Sequence, residues 1–156
     1  MSEAAPVILQ ADRLLAFEIA DALYALPIAD VAEVSEALPV AAVPMLSPAV
    51  GGVVNHHGDA LPVVHASALF EGARASDAPT HLLVLARDPD DPNRYGLPVD
   101  AIRGLIDGPV VASHEEGPVA ERRPMDGRLL NVLDPRRLLE RAVAVIEGSM
   151  TGAGGE

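Results

Sequence analysis

The chain has no cysteine, no tryptophan and no lysine, and each absence narrows what it can do. Without cysteine there is no disulfide framework, no thiol nucleophile and no thiolate-bound zinc. Two Phe and two Tyr are the only aromatics, so stacking platforms for single-stranded nucleic acid are scarce and the core must be built from Val, Leu, Ile and Ala. All 11 basic residues are arginines, and the formal net charge is −12. So acidic a chain repels phosphate backbones, and direct nucleic-acid binding is not expected. No apolar run approaches the roughly 20 residues that span a bilayer, so no membrane insertion is expected. The opening M-S-E-A-A-P-V carries an acid and no basic segment leading into a long apolar run, so a signal peptide is not expected and a cytoplasmic location is.

What is present is enough apolar material to fold. A chain of 156 residues, 49% of them hydrophobic, makes one domain or two small subdomains sharing a core. Folding such a chain buries roughly 70% of its extended surface. Most of it reads as short strands. In L-L-A-F-E-I-A, Leu15, Phe17 and Ile19 share a face, and after a turn at Asp21-Ala22 the return strand L-Y-A-L-P-I places Tyr24, Leu26 and Ile28 together. Ala29 to Ser35 reads as a short turn or irregular helix with Val31 and Val34 inward and Glu33 outward. Leu38 to Met45 is a short extended element, bounded by prolines. His81 to Arg87 is apolar almost throughout, as a strand covered on both faces would be, and Tyr95 to Asp100 is its partner. Asp107 to Pro124 reads mostly as loop, with one strand near Val110-Val111. Asp126-Gly127 signals a hairpin turn.

One helix stands out. Asp134 can cap its exposed amides while Pro135 occupies its first position, and Leu138, Leu139, Ala142, Val143, Val145 and Ile146 form one apolar face. The expected architecture is mainly β, two small antiparallel barrels or sandwiches with a C-terminal α-helix. The expected boundaries are a flexible arm over 1–12, a first subdomain over about 13–75, a second over about 76–134, the helix over 135–147 ended by Gly148, and a disordered tail over 149–156. A faint echo of strand, turn, strand and short helix links the subdomains.

The stretch V-G-G-V-V-N-H-H-G-D-A-L-P-V-V-H, Val50 to His65, reads as a hairpin around a Gly58-Asp59 turn of type II′ and carries three of the five histidines. Strand alternation puts His56 and His57 on opposite faces, leaving His57 and His65 as the pair that shares one. A metal-binding enzyme with those two residues as ligands is therefore one alternative. A nucleic-acid-associated protein is another, if Arg122, Arg123, Arg128, Arg136, Arg137 and Arg141 cluster; their bland reading is a solvated face interleaved with Glu140. No serine sits in a nucleophile-elbow context, and Gly51-Gly52 precedes no Lys-Ser/Thr pair, so neither hydrolysis nor phosphate binding is expected. No cofactor is implied.

The hairpin also resembles a signature, G-V-x-N-x-R-G-x-x-x-P-V-(V/I)-D, of the CheW-like family, the scaffold proteins of bacterial chemosensory arrays. The likeness covers nearly the whole chain. L-L-A-F-E-I-A-D-A-L-Y-A-L-P-I-A-D-V-A-E-V resembles the opening strands and the V-x-E-(V/I) element, Y-G-L-P-V-D the G-L-x-V-D motif, and D-G-R-L-L-N-V-L-D-P-R-R-L-L the final hairpin and helix. The resemblance implies two five-stranded SH3-like barrels, no catalysis, and an adaptor that couples a chemoreceptor signalling domain to the regulatory P5 domain of a CheA-type histidine kinase within a receptor array. Other CheW-like proteins are implied as further partners. It places Val31, Glu33, Val34, Asn55 and His57 at the receptor groove, and gives Gly52, Gly58, Pro62, Gly96, Asp100 and Asp134 structural parts. The chain departs from the family at His57, where an arginine is usual, and at His65, where an aspartate is frequent, which implies a weaker ion pair at that corner. A missing second strand over Asp107 to Asp126 would weaken a ring-forming surface, as in a divergent accessory scaffold of the FrzB kind.

Overall fold

A computed structural model describes residues 8–9, 13–36, 50–70, 72–76, 79–86, 93–107, 110–111 and 117–154. Its elements run β1 (Ile8–Leu9), β2 (Arg13–Ile19), β3 (Ala22–Pro27), a 3-10 turn (Ile28–Asp30), β4 (Val31–Glu36), β5 (Val50–His56), β6 (Asp59–Val64) and α1 (Ala66–Leu69). They continue with β7 (His81–Leu85), β8 (Tyr95–Val99), β9 (Ala101–Asp107), β10 (Val110–Val111), β11 (Val119–Met125), β12 (Arg128–Leu133) and α2 (Pro135–Gly154).

Two five-stranded sheets form, in the orders β11-β12-β3-β2-β9 and β4-β7-β8-β6-β5. They follow one pairing scheme: an antiparallel hairpin, a parallel step (β12 with β3, β6 with β8), then two antiparallel steps. Each hairpin also leads into a helix, β6 into α1 and β12 into α2, so the faint sequence echo has a structural counterpart. The chain does not divide near residue 75, however. It begins in one sheet with β2 and β3, builds the whole of the other from β4 to β8, and returns for β9, β11 and β12.

The reason lies in burial on both faces. Leu14 joins a small core with Leu23, Ala25, Ala120, Leu130 and Val132 inside the first sheet, while its neighbour Leu15 faces a large central core. In the second sheet Leu82 and Val84 pack with Val54, Leu61 and Val63, and Leu83 and Leu85 face the central core. That centre holds all four aromatic residues, with Tyr24 stacked between Phe17 at 5.8 Å and Phe70 at 4.8 Å, and is closed by Leu138 and Ala142 of α2. Strands with two apolar faces need cover on both, and each sheet supplies it to the other.

Several sequence expectations are corrected. Glu33 and Val34 lie on strand β4, not on a turn or irregular helix; Val34 is exposed, and Glu33 takes the less exposed side with Val31 and Ser35, because residues two apart along a strand share a face. The stretch from Asp107 to Pro124 contains strand β11, paired along its length with β12, so the second strand is present. Ile8–Leu9 of the expected arm pairs with Val110–Val111. Helix α2 continues beyond Gly148 to Gly154, since one interior glycine costs about 1 kcal/mol without stopping a helix. The expected element from Leu38 to Met45 lies outside the described residues.

Two turns are displaced by one residue from their expected places, Asp21-Ala22 to Ala20-Asp21 and Gly58-Asp59 to His57-Gly58, while the third stands at Asp126-Gly127 as expected. Ala20 and Asp21 (φ 48° and 72°), His57 and Gly58 (52° and 89°), and Asp126 and Gly127 (51° and 77°) all carry positive φ at both central positions. That pairing is the I′ pattern, whose twist matches the flanking strands.

Candidate functional site

Moving the hairpin turn from Gly58-Asp59 to His57-Gly58 changes the chemistry of the corner. His56 ends β5, opposite Asp59, with its side chain buried inward; His57, in the left-handed region where histidine is among the tolerated residues, swings back over the strand end. The alternation that would send the two rings to opposite faces holds only within a strand, and His57 is already outside it. The rings lie 4.2 Å apart. Asn55 is exposed, and its Oδ1 accepts a 2.9 Å hydrogen bond from Gly58 N–H, so it serves the turn itself.

Both imidazoles meet one carboxylate oxygen. Oε1 of Glu33 accepts hydrogen bonds from His56 Nε2 at 3.0 Å and from His57 Nε2 at 2.9 Å. Glu33 stands on β4 and the histidines at the end of β5, and these are the two outer strands of their sheet. The sheet therefore curls until its edges meet, and side chains rather than a backbone ladder close this part of the seam. Hydrogen bonding from His57, then from His56, holds the Glu33 carboxyl below its usual range, with burial opposing. The expected weak corner is thus a doubly bonded carboxylate, with His56 supplying a donor that strand reasoning had turned away.

Val31 packs partly against the central core and Val34 is 41% exposed on the outer side of β4. Of the residues assigned to the receptor groove, Glu33 and His57 are joined directly, Val31 and Val34 flank Glu33 on the same strand, and Asn55 supports the turn. His65 does not join His57: it precedes α1, half-buried, with burial lowering its pKa and, among the described residues, no partner for its Nδ1. His56 was legible in principle, because glycine at the second position of a two-residue loop suits a type I′ turn at His57-Gly58.

The motif residues do structural work elsewhere. Gly52 takes φ 126° beside a bulge in β5, and Pro62 of β6 faces Val53 across the hairpin. Gly96 passes so close to Leu82 that an added Cβ would lie 3.0 Å from it. Asp100 binds the β2–β3 turn, and Asp134 caps α2 by accepting hydrogen bonds from Arg136 N–H at 3.0 Å and Arg137 N–H at 3.4 Å. Most of the arginines once grouped as a possible basic patch have local partners: Arg122 donates to Asn131, Arg123 pairs with Glu121, Arg128 with Glu18, Arg137 with Asp134, and Arg141 donates to the Ala68 carbonyl.

Two sheets with one pairing scheme, fused through a shared core and carrying a polar cluster on a barrel seam, define a module of paired SH3-like subdomains. The chain belongs to the CheW-like domain family, whose family model matches residues 13–143. Its fold is similar to that of the scaffolding protein TtCheW from Thermoanaerobacter tengcongensis, with a TM-score of 0.61 and 20% sequence identity over 81% of this chain and 86% of that one. No curated protein matches the sequence. Among the described residues no helix is long and apolar enough to cross a membrane.

Proposed function

We propose that the protein is a non-catalytic adaptor that couples chemoreceptor signalling domains to the P5 regulatory domain of a CheA-type histidine kinase, at receptor arrays in the cytoplasm. The match of the CheW-like family over residues 13–143 carries this reading. The β4 edge supports it, since Val34 offers exposed apolar area on the outer side of an outer strand, where an amphipathic helix could lay its apolar face. The receptor contact is assigned to Val31, Glu33, Val34 and His57. Other CheW-like proteins remain proposed partners, and strand β11 removes the sequence-level ground for a weakened ring-forming surface.

The test is a pull-down of the full chain with a cognate receptor signalling domain and, separately, with an isolated P5 domain. Retention on both is the expected result. Retention on neither would sink the adaptor reading.

A further inference from the structure

The cluster on the barrel seam has a composition that two protein partners alone do not require. Glu33, His56 and His57 bring one carboxylate oxygen and two imidazole nitrogens to within 4.8 Å of one another, from two strands at opposite edges of one sheet. We propose that this cluster is a binding site for a divalent transition-metal ion, with Zn2+ the ion it fits best, and that the bound ion ties β4 to the end of β5. The inference stands apart from the adaptor reading and survives its failure.

Geometry comes first. Zinc holds imidazole nitrogen and carboxylate oxygen at about 2.0–2.2 Å, so adjacent ligands of a tetrahedral site lie about 3.4 Å apart. The nitrogens of His56 and His57 stand 3.0 and 2.9 Å from Glu33 Oε1. Seating the ion opens both of these separations by about half an ångström, movement that the half-exposed Glu33 and the exposed His57 side chains supply. Both histidines already aim Nε2 at the shared oxygen. The Nδ1 of His56 is enclosed and has no partner among the described residues, so Nε2 is the nitrogen that ring offers.

Chemistry selects the ion. Two imidazole nitrogens and one carboxylate oxygen form a borderline N2O donor set, which suits Zn2+, Co2+ or Ni2+ over Mg2+ or Ca2+, whose ligands are oxygens. The chain's net charge of −12 favours cation approach. Three protein ligands leave a fourth position for water or a group from outside. The exposure of His57 gives the ion its entry path.

The experiment is equilibrium dialysis of the full chain against Zn2+ with metal analysis of the retained protein. One tightly held ion per chain is expected. His57→Asn, which keeps a side chain that accepts the left-handed turn, and Glu33→Gln should each weaken binding by about tenfold or more. His81→Asn should leave it unchanged. Far-UV circular dichroism checks that each variant folds, and the wild-type chain gives an independent readout: on Zn2+ titration, the imidazole resonances of His56 and His57 should shift while those of the other three histidines hold still. Thermal stability should rise with Zn2+ in wild type and not in His57→Asn, because an ion bound only to the folded state stabilises it. Failure to retain zinc, retention unaffected by both cluster variants, or resonance shifts confined to His65, His81 or His114 would each overturn the assignment.

Discussion

The side-chain Oδ2 of Asp100 accepts a 2.5 Å hydrogen bond from the backbone N–H of Ala20, 80 residues earlier in the chain. Ala20 is the first residue of the β2–β3 turn and sits at φ 48°, in the left-handed region that costs a residue with a Cβ about 1–2 kcal/mol. The other oxygen of Asp100 accepts a hydrogen bond from Ser76, its backbone N–H donates to the Glu18 carbonyl at 2.8 Å, and its own carbonyl accepts from Thr80 Oγ1 at 2.8 Å. One residue at the end of β8 thus pins a turn of the other sheet. Asp100→Ala should cost about 1–3 kcal/mol, the range for an abandoned, partly buried donor. Ala20→Gly should be neutral or stabilising by up to about 1 kcal/mol, because glycine enters this region freely. Urea unfolding of both variants checks the opposite signs.

Close packing makes Gly96 hard to replace. Its added Cβ would approach three atoms of the Leu82 side chain at 3.0–3.1 Å, and Leu82 is itself enclosed by Val54, Leu61, Val63 and Val84. Leu82 cannot yield without disturbing that small core, so Gly96→Ala should destabilise by about 1–3 kcal/mol. Pairing it with Leu82→Val should recover part of the loss, and a cycle of the two showing simple additivity would refute the contact as the cause.

His65 and Asp134 occupy matching positions, each between a hairpin's second strand and the helix that follows. Asp134 caps its helix with side-chain hydrogen bonds and His65 makes none. Burial lowers the folded pKa of His65 below its usual 6.5, while the unfolded chain takes up its proton near that value. The unfolded state therefore binds more protons in this window, and stability falls as pH drops through about 6.5, levelling off below the folded pKa. His65→Asn adds a capping group and removes the titration. Its expected outcome is a gain of about 0.5–1 kcal/mol at pH 8 and a larger advantage over wild type at pH 5.5. A gain that shrinks on acidification would contradict the assignment.

At the seam, His57→Ala should reduce receptor retention more than P5 retention, since His57 holds the Glu33 carboxylate at the β4 edge. Equal loss toward both partners would count against a receptor-facing role. Val34→Asp places a second carboxylate on the same edge and should abolish receptor binding while leaving the unfolding midpoint within about 0.5 kcal/mol, as expected of an exposed site.

How far the residues alone led depends on the kind of information each element carried. The capped helix at Asp134-Pro135, the strands through Phe17, Leu83 and Leu97, and the Asp126-Gly127 turn are written locally, in spacing and in residues with narrow conformational preferences. Strand β11 was not, because A-E-R-R-P-M alternates polar with polar and becomes a strand only through β12 beside it. The subdomain boundary was misread for a related reason: sequence adjacency cannot show that β9, β11 and β12 return to the sheet begun by β2 and β3.

The seam cluster divides in the same way. Sequence by itself determined a mainly β chain of paired barrels, a capped terminal helix, family membership, and the presence of Glu33 beyond one hairpin and of His56 and His57 at the turn of the next. Tertiary structure alone decided that they meet. Glu33 lies more than 20 residues from either histidine, on the far edge of a five-stranded sheet, and no periodicity within one segment records where a sheet's two edges close. A one-residue shift of the turn, set by the I′ twist that the paired strands demand, then put both rings on one carboxylate oxygen.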